Sequence, residues 1–448
     1  MEKLSIKEKI GFGLGDAASN IVFQMVLLYM LFFYTDVFGI SATAVGTLFL
    51  VVRIFDAITD PIMGGIADRT KTKYGRYRPY LLWMCIPYGI FAVLAFSTPD
   101  LSDTGKLIYA CITYALLMTM YTAINIPYSA LGGVMTTNRN ERASLQSYRF
   151  MLAMVGGTIV AASVLPMVGF FGGDDNPAFG YQMAMIVLSI FAVLCFVCCF
   201  LLTKERVTVD DETHRVDSDK PSIYQDALDM IKNDQWRIIA FVSFLSLASG
   251  AMKGAVTPFY VQYYLQQPDM ISVFLTAGTV ASLFGALFAN LMTGKICKVK
   301  LMKLAVIGSL ILHAAIVFIP SDQLYLSLFV TSAAAFAHMV FTPLLFSAVP
   351  DTVDYGIKKY GKGAMGMGVS GHLFALKLGL AVGGACAGWV LGYVGYVANA
   401  EQTQESLNGI VFLMGASSAI ACTLILLLLN RYVLYSKKED LNVNTVAS

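Results

Sequence analysis

The chain has 448 residues, of which 57% are hydrophobic and only 13% are charged, with a mean hydropathy of +0.67. A water-soluble chain carries about 25% charged residues, so the composition excludes a soluble enzyme or binding module and points to a protein built mostly inside lipid. The net charge of +2 comes with no basic patch interleaved with aromatics, which leaves nucleic acid out as a partner.

Apolar runs long enough to cross a bilayer recur along the whole chain. They predict twelve spans, at about 10–33, 41–66, 79–97, 106–130, 148–171, 181–203, 237–262, 269–294, 301–320, 324–349, 366–395 and 408–434. The opening, MEKLSIKEKIGFGLGDAASNIVF, lacks a short greasy core followed by a small-residue cleavage site and reads as a retained first helix. Within that span Asp16 and Asn20 fall one turn apart, beside Gly11, Gly13 and Gly15, which allow close packing.

The second span holds RIFDAITDPIMGG, with Arg53, Asp56 and Asp60 at positions i, i+3 and i+7, all on one helix face. Each such charge costs about 2.5–3.5 kcal/mol at mid-bilayer. A salt bridge between Arg53 and Asp56 would account for one carboxylate and leave the other. Two carboxylates one turn apart, with the Thr59 hydroxyl nearby, suit a small hard cation or a proton. Pro61 frees backbone carbonyls just below. In the fourth span, YTAINIPYSALGG sets Tyr121, Asn125 and Tyr128 on one face. An amide and two phenols provide hydrogen bonds and flat apolar surface for an uncharged sugar; hydrogen bonding between helices is the alternative.

Eight cysteines are present, nearly all in apolar segments; Cys195 and Cys198, in FAVLCFVCCFLL, read as apolar filler. Residues 204–236 form the largest polar interruption. There PSIYQDALDMIKNDQW places Ile223, Ala227, Leu228, Ile231 and Trp236 near one helical face, predicting either an amphipathic helix along the inner leaflet or a solvated linker helix. The eleventh span carries Lys377, too far from either end to snorkel easily, as a counter-charge to the second span or a substrate ligand. The glycines at 379, 383, 384, 388 and 392 read as helix packing. His313 and His338 read as satisfied core residues, and His372 as facing away from Lys377. No nucleophile–base set or metal-ligand spacing suggests an enzyme, a cofactor or a bound metal.

These spans predict an all-α membrane protein in two six-helix bundles: residues 1–203, the linker 204–236, residues 237–435, and a tail at 436–448. With the N-terminus in the cytoplasm, 26 of the 31 Lys and Arg residues fall in cytoplasmic loops and tails. Lys106 falls outside, and Arg53, Arg149, Lys253 and Lys377 lie in or at the edge of spans. That asymmetry predicts both termini cytoplasmic in a plasma membrane.

The segments RIFDAITDPIMGGIADRTKTKYGRYRPYLLW, YTAINIPYSALGG, VPDTVDYG and LKLGLAVGGACAGWVLGYVGY resemble the glycoside–pentoside–hexuronide:cation symporters, the melibiose permease relatives within the major facilitator superfamily. The likeness runs over nearly the whole chain. It implies a cation site at Asp56 and Asp60 assisted by Thr122, sugar contacts at Asp16 and Arg149, and Lys377 coupling the two sites. It also implies two bundles rocking about a central cavity. The chain departs from the melibiose permeases where it has Asn125 for a second sugar-binding aspartate, Ser129 for a tryptophan and Thr59 for a cation-site asparagine. Ile357 and Gly363 replace an acid and a gate arginine, with Lys358, Lys359 or Lys362 nearby, and Asp351 or Asp354 is expected to pair with Arg142 in a cytoplasmic gate. The expectation is a monomeric carrier, surrounded by membrane lipid, that moves a glycoside with Na+ or H+. A cation-coupled lysolipid carrier and an energy-independent sugar facilitator are the alternatives.

Overall fold

The computed structural model describes residues 4–136, 138–173, 175–206, 228, 230–292, 295–360 and 365–434. Most of the expected linker helix, Lys362, Gly363 and the 436–448 tail lie outside these residues. Twelve helices are long and apolar enough to span a bilayer: α1 (Ile6–Val37), α2 (Ala42–Arg69), α3 (Arg78–Ala95), α4 (Asp103–Val134), α5 (Ser144–Gly172), α6 (Pro177–Leu202), α7 (Asp234–Tyr264), α8 (Pro268–Met292), α9 (Lys298–Ile316), α10 (Leu324–Tyr360), α11 (Met367–Tyr393) and α12 (Gln404–Asn430).

Several helices overrun the expected spans, for local reasons. Helix α1 begins four residues early because Ser5 and Glu8 form a capping box: the Ser5 hydroxyl accepts from the Glu8 N–H at 3.3 Å, and the Glu8 carboxylate accepts from the Ser5 N–H at 2.9 Å. Ser102 caps α4 in the same sense. Helix α10 continues eleven residues past the expected 349, through Pro350, because an apolar window measures what lipid covers and not where helical hydrogen bonding stops.

In the first half α1 packs on α5 and α6, α3 on α4 and α6, and α2 on α4. In the second half α7 packs on α11, α8 on α10, and α9 on α10 and α12. The two halves meet through α2 with α11, α5 with α8, and α1 with α7. Both α1 and α7 finish in a π-helical turn, Phe33–Val37 and Tyr260–Tyr264, in matching positions of the two six-helix sets. A third such turn, Phe412–Ala416, interrupts α12. Side chains on α2 sort by chemistry: Ile58 is 61% exposed toward the lipid face, with Ile54, Ile62 and Ile66 in the same row, while Asp56 is 1% exposed.

Near the far end of the molecule, where α1 finishes, the halves touch backbone to backbone. A Cβ on Gly388 would lie 2.5 Å from the Ala42 carbonyl oxygen and 2.8 Å from the Gly46 Cα. One on Gly46 would lie 2.6 Å from the Ala385 carbonyl. Only glycine permits this α2–α11 approach. Gly388→Leu is expected to force the far ends of the halves apart, read as a longer distance between spin labels placed on α2 and α11.

Candidate functional site

Helix α2 turns its acidic face onto α4 and α11. The Thr122 hydroxyl, buried on α4, reaches the Asp56 Oδ1 at 2.6 Å and the Asp60 Oδ1 at 3.1 Å. The Lys377 Nζ sits 3.3 Å from the Asp56 Oδ2 and is in direct contact with the Asp60 Oδ2. One ammonium and one hydroxyl thus bridge two carboxylates contributed by successive turns of one helix. A monovalent cation bound to those oxygens would need the place that Lys377 holds.

The Thr59 hydroxyl donates to the Asp56 carbonyl at 2.9 Å, as β-hydroxyls in helices often do, which commits its proton and leaves its oxygen as an acceptor. Arg53, 9% exposed, does not pair with Asp56: its guanidinium lies over the Phe23 ring, 5.2 Å from the centroid, and lines a small cavity with Tyr114. The internal salt bridge considered from the sequence is therefore not formed, and both carboxylates remain for Lys377.

Between α1 and α5 a second ion pair forms. The Arg149 Nε lies 3.2 Å from the Asp16 Oδ2, and its Nη2 donates to the Oδ1 at 3.3 Å. The guanidinium also covers the Tyr128 ring at 5.2 Å. The expected sugar ligands divide here. Asn125 keeps a buried Oδ1 with no hydrogen-bond partner among the described residues, an acceptor free for a hydroxyl donor. Tyr121 stacks with Phe23 at 5.8 Å and meets Tyr88 at 6.3 Å, forming an aromatic wall. Tyr128 is fully buried, stacked on Phe12 at 4.8 Å, and its hydroxyl donates to the Phe12 carbonyl at 2.7 Å, so it supports Arg149 from behind. Asn20 donates its amide to the Asp16 carbonyl at 3.0 Å and steadies the helix there.

The expected gate is not assembled. Arg142 donates to the Thr136 carbonyl through Nε and to the Gly133 carbonyl through Nη2, both at 2.8 Å, where a cation suits the end of α4. Asp351 pairs with Lys298 at 2.6 Å, and Asp354 is exposed. Lys359 reaches Asp234 at 3.3 Å. At this near end the pairs Lys9–Glu141 and Arg206–Glu8, like Lys298–Asp351 and Lys359–Asp234, each join residues of the same half.

The far end carries a cluster that sequence reasoning missed. The Asp36 Oδ1 accepts from the Tyr396 hydroxyl at 2.6 Å and from the Tyr263 hydroxyl, while the Asn399 amide donates to the Asp36 carbonyl at 2.7 Å. One first-half carboxylate is thereby held by α7 and by the loop after α11. The only sequence signal was an acid at the end of a span facing tyrosines more than two hundred residues away. Replacing both phenols (Tyr263→Phe with Tyr396→Phe) is expected to loosen this closure, seen as faster labelling of a cysteine placed at Ala42, buried in the far-end seam, by a membrane-impermeant reagent.

A pair of helical bundles tied at one end, with two carboxylates bridged by a lysine between them, is the build of a membrane carrier. The sequence matches the family described as MFS/sugar transport protein over residues 11–436, and the chain belongs to that family. It is 43% identical to the inner membrane symporter YicJ of Escherichia coli K12, covering 96% of this chain and 92% of that protein. It is 38% identical to the putative glycoside/cation symporter YagG of the same organism, covering 98% and 94%. Among solved structures, a mutant of the nucleoside transporter NupG superposes with a TM-score of 0.70 at 10% identity, covering 94% of this chain and 99% of that one, a likeness of fold.

Proposed function

We propose that the protein is a secondary active symporter, coupling inward movement of Na+ or H+ to uptake of a glycoside across the bacterial inner membrane. The observation that carries this reading is the Lys377 ammonium lodged between Asp56 and Asp60. The positive-inside distribution supports a cytoplasmic near end, and on that reading the far-end seam of Gly46, Gly388 and Asp36 closes the outer side. An inward-open form would then account for Arg142 and Asp351 standing apart.

Charge accounts for the coupling. Across Arg53, Asp56, Asp60 and Lys377 the formal charges cancel, so the cation-free carrier can bury this cluster and return. Entry of a cation displaces Lys377 and leaves its charge unpaired, and burying such a charge costs several kcal/mol. Glycoside hydroxyls held between Asp16, Arg149, Asn125 and Tyr121 give the displaced ammonium acceptors, so the doubly loaded carrier also closes. The half-loaded carrier does not, and slippage is suppressed. The test is calorimetry of glycoside binding to purified protein in Na+ or choline at two pH values. One cation should tighten binding about tenfold or more; an affinity indifferent to both would sink the reading.

A further inference from the structure

The two sites above are internally charge-balanced; a half-buried lysine elsewhere is not paired. Lys253 lies near the middle of α7, and no ion pair reaches it among the described residues. Its ammonium donates to the Thr331 carbonyl at 3.3 Å, which leaves two of its three protons uncommitted. It lines a cavity of about 170 Å³, formed mostly by the second half, together with Ser249, Thr257, Thr279, His313 and His338. An unpaired ammonium at this depth is costly unless something neutralises it.

The remaining donors and acceptors define what that something is. The Thr257 and Thr279 hydroxyls spend their protons on the Lys253 and Thr276 carbonyls, at 2.8 and 2.9 Å, and so offer oxygens as acceptors. The His313 Nδ1 is committed to the Ser309 carbonyl at 2.8 Å, leaving Nε2 as an acceptor in the neutral ring. The cavity therefore combines one cationic donor with several acceptors, which matches a ligand carrying one acid group and several hydroxyls. Its volume is more than a halide fills. It is also distinct from the Asp16–Arg149 pair. Leu28, which lines the cavity, is twelve residues beyond Asp16 on α1, about 18 Å along the helix axis.

We propose that Lys253 and this cavity form a second binding site, in the C-terminal half, for a small hydroxylated anion, a carboxylate or sulfonate, either free or as the acid unit of a glycoside. The site extends the symporter reading and rests on it only for the glycoside-borne source. The test is calorimetry on the full-length purified protein and its Lys253→Met and Lys253→Arg variants, with glucuronate, methyl glucuronide, methyl glucoside and sulfate as probes. Glucuronate or methyl glucuronide should bind the wild type and Lys253→Arg, and bind Lys253→Met at least tenfold more weakly. Binding of glucuronate assigns a free acid, and binding of methyl glucuronide alone assigns the glycoside-borne group. Equal affinity in wild type and Lys253→Met, or binding of sulfate alone, overturns the proposal. Gradient-driven uptake of a transported neutral glycoside by Lys253→Met, measured in parallel, reports folding and the symporter reading separately.

Discussion

Asp60→Asn is expected to abolish accumulation of glycoside against its gradient while leaving exchange of glycoside across the membrane running. The amide keeps the shape of the side chain and can still accept from Thr122, which now lies 3.1 Å from Asp60. What it removes is one negative charge. With Arg53 counted, the cluster then carries one net positive charge, as the cation-loaded wild type does, and no oxygen set remains that favours an incoming cation over the lysine. A cation falling through 100 mV supplies about 2.3 kcal/mol. At about 1.4 kcal/mol per tenfold, that supports roughly a 40-fold gradient. In proteoliposomes with an imposed gradient the variant should fall from that range to an even distribution, with counterflow of labelled glycoside retained. A variant that still accumulates glycoside would leave Asp60 a structural partner of Lys377.

Asp16→Asn carries the second large effect, on sugar affinity. Asp16 is 7% exposed, and its two oxygens receive Nε and Nη2 of Arg149. Hydrogen bonds involving a charged group contribute about 1.5–3 kcal/mol each, and a buried partner left unpaired costs about 3–5 kcal/mol. The substitution therefore both weakens an acceptor for sugar hydroxyls and frees Arg149 to swing from its place over Tyr128. Glycoside affinity is expected to drop about a hundredfold by calorimetry. The rise in acetylation of Lys377 on adding the cation should persist, because Asp56, Asp60 and Thr122 are untouched. Affinity within threefold of the wild type would remove Asp16 from the sugar site.

Much of the fold was legible because lipid enforces it. A spanning helix must satisfy its own backbone, so apolar length gives the helix count directly, and the charges that break the pattern stand out against it. Arg53, Asp56 and Asp60 were readable on one face from spacing alone, and Ile54, Ile58, Ile62 and Ile66 confirm which face lipid covers. What spacing could not show was pairing across the chain. That Lys377 lies against Asp60, 317 residues away, follows from the packing of α11 on α2. Arg53 illustrates the converse. Its nearest acid in sequence, Asp56, is not its partner, because Phe23 on α1 presents a ring to the guanidinium and Lys377 takes the carboxylate.

The hydroxyls and amides were the least legible. Thr59, Asn20 and Tyr128 each had the chemistry for a ligand, and each donates a proton to a backbone carbonyl within reach, a local bond that spacing does not reveal. Thr122, which no helical periodicity distinguishes from its neighbours, holds both carboxylates, and only the family resemblance had pointed to it. The expected gate fails to appear for a different reason. Arg142 and Asp351 belong to different halves, and each takes a partner within its own half, which spacing along the chain does not reveal. Lys253 did carry a sequence signal, since no acid lies three or four residues away on its own helix to neutralise it.

Uptake of a panel of labelled glycosides into right-side-out vesicles, with a Na+ gradient and a pH gradient imposed separately, tests coupled transport most directly. Accumulation of at least one glycoside well above the outside concentration, under one of the two gradients and not without it, is the predicted result. Equilibration to the outside concentration whatever gradient is imposed would contradict it, and would make the Asp56–Lys377–Asp60 cluster a structural feature of a facilitator.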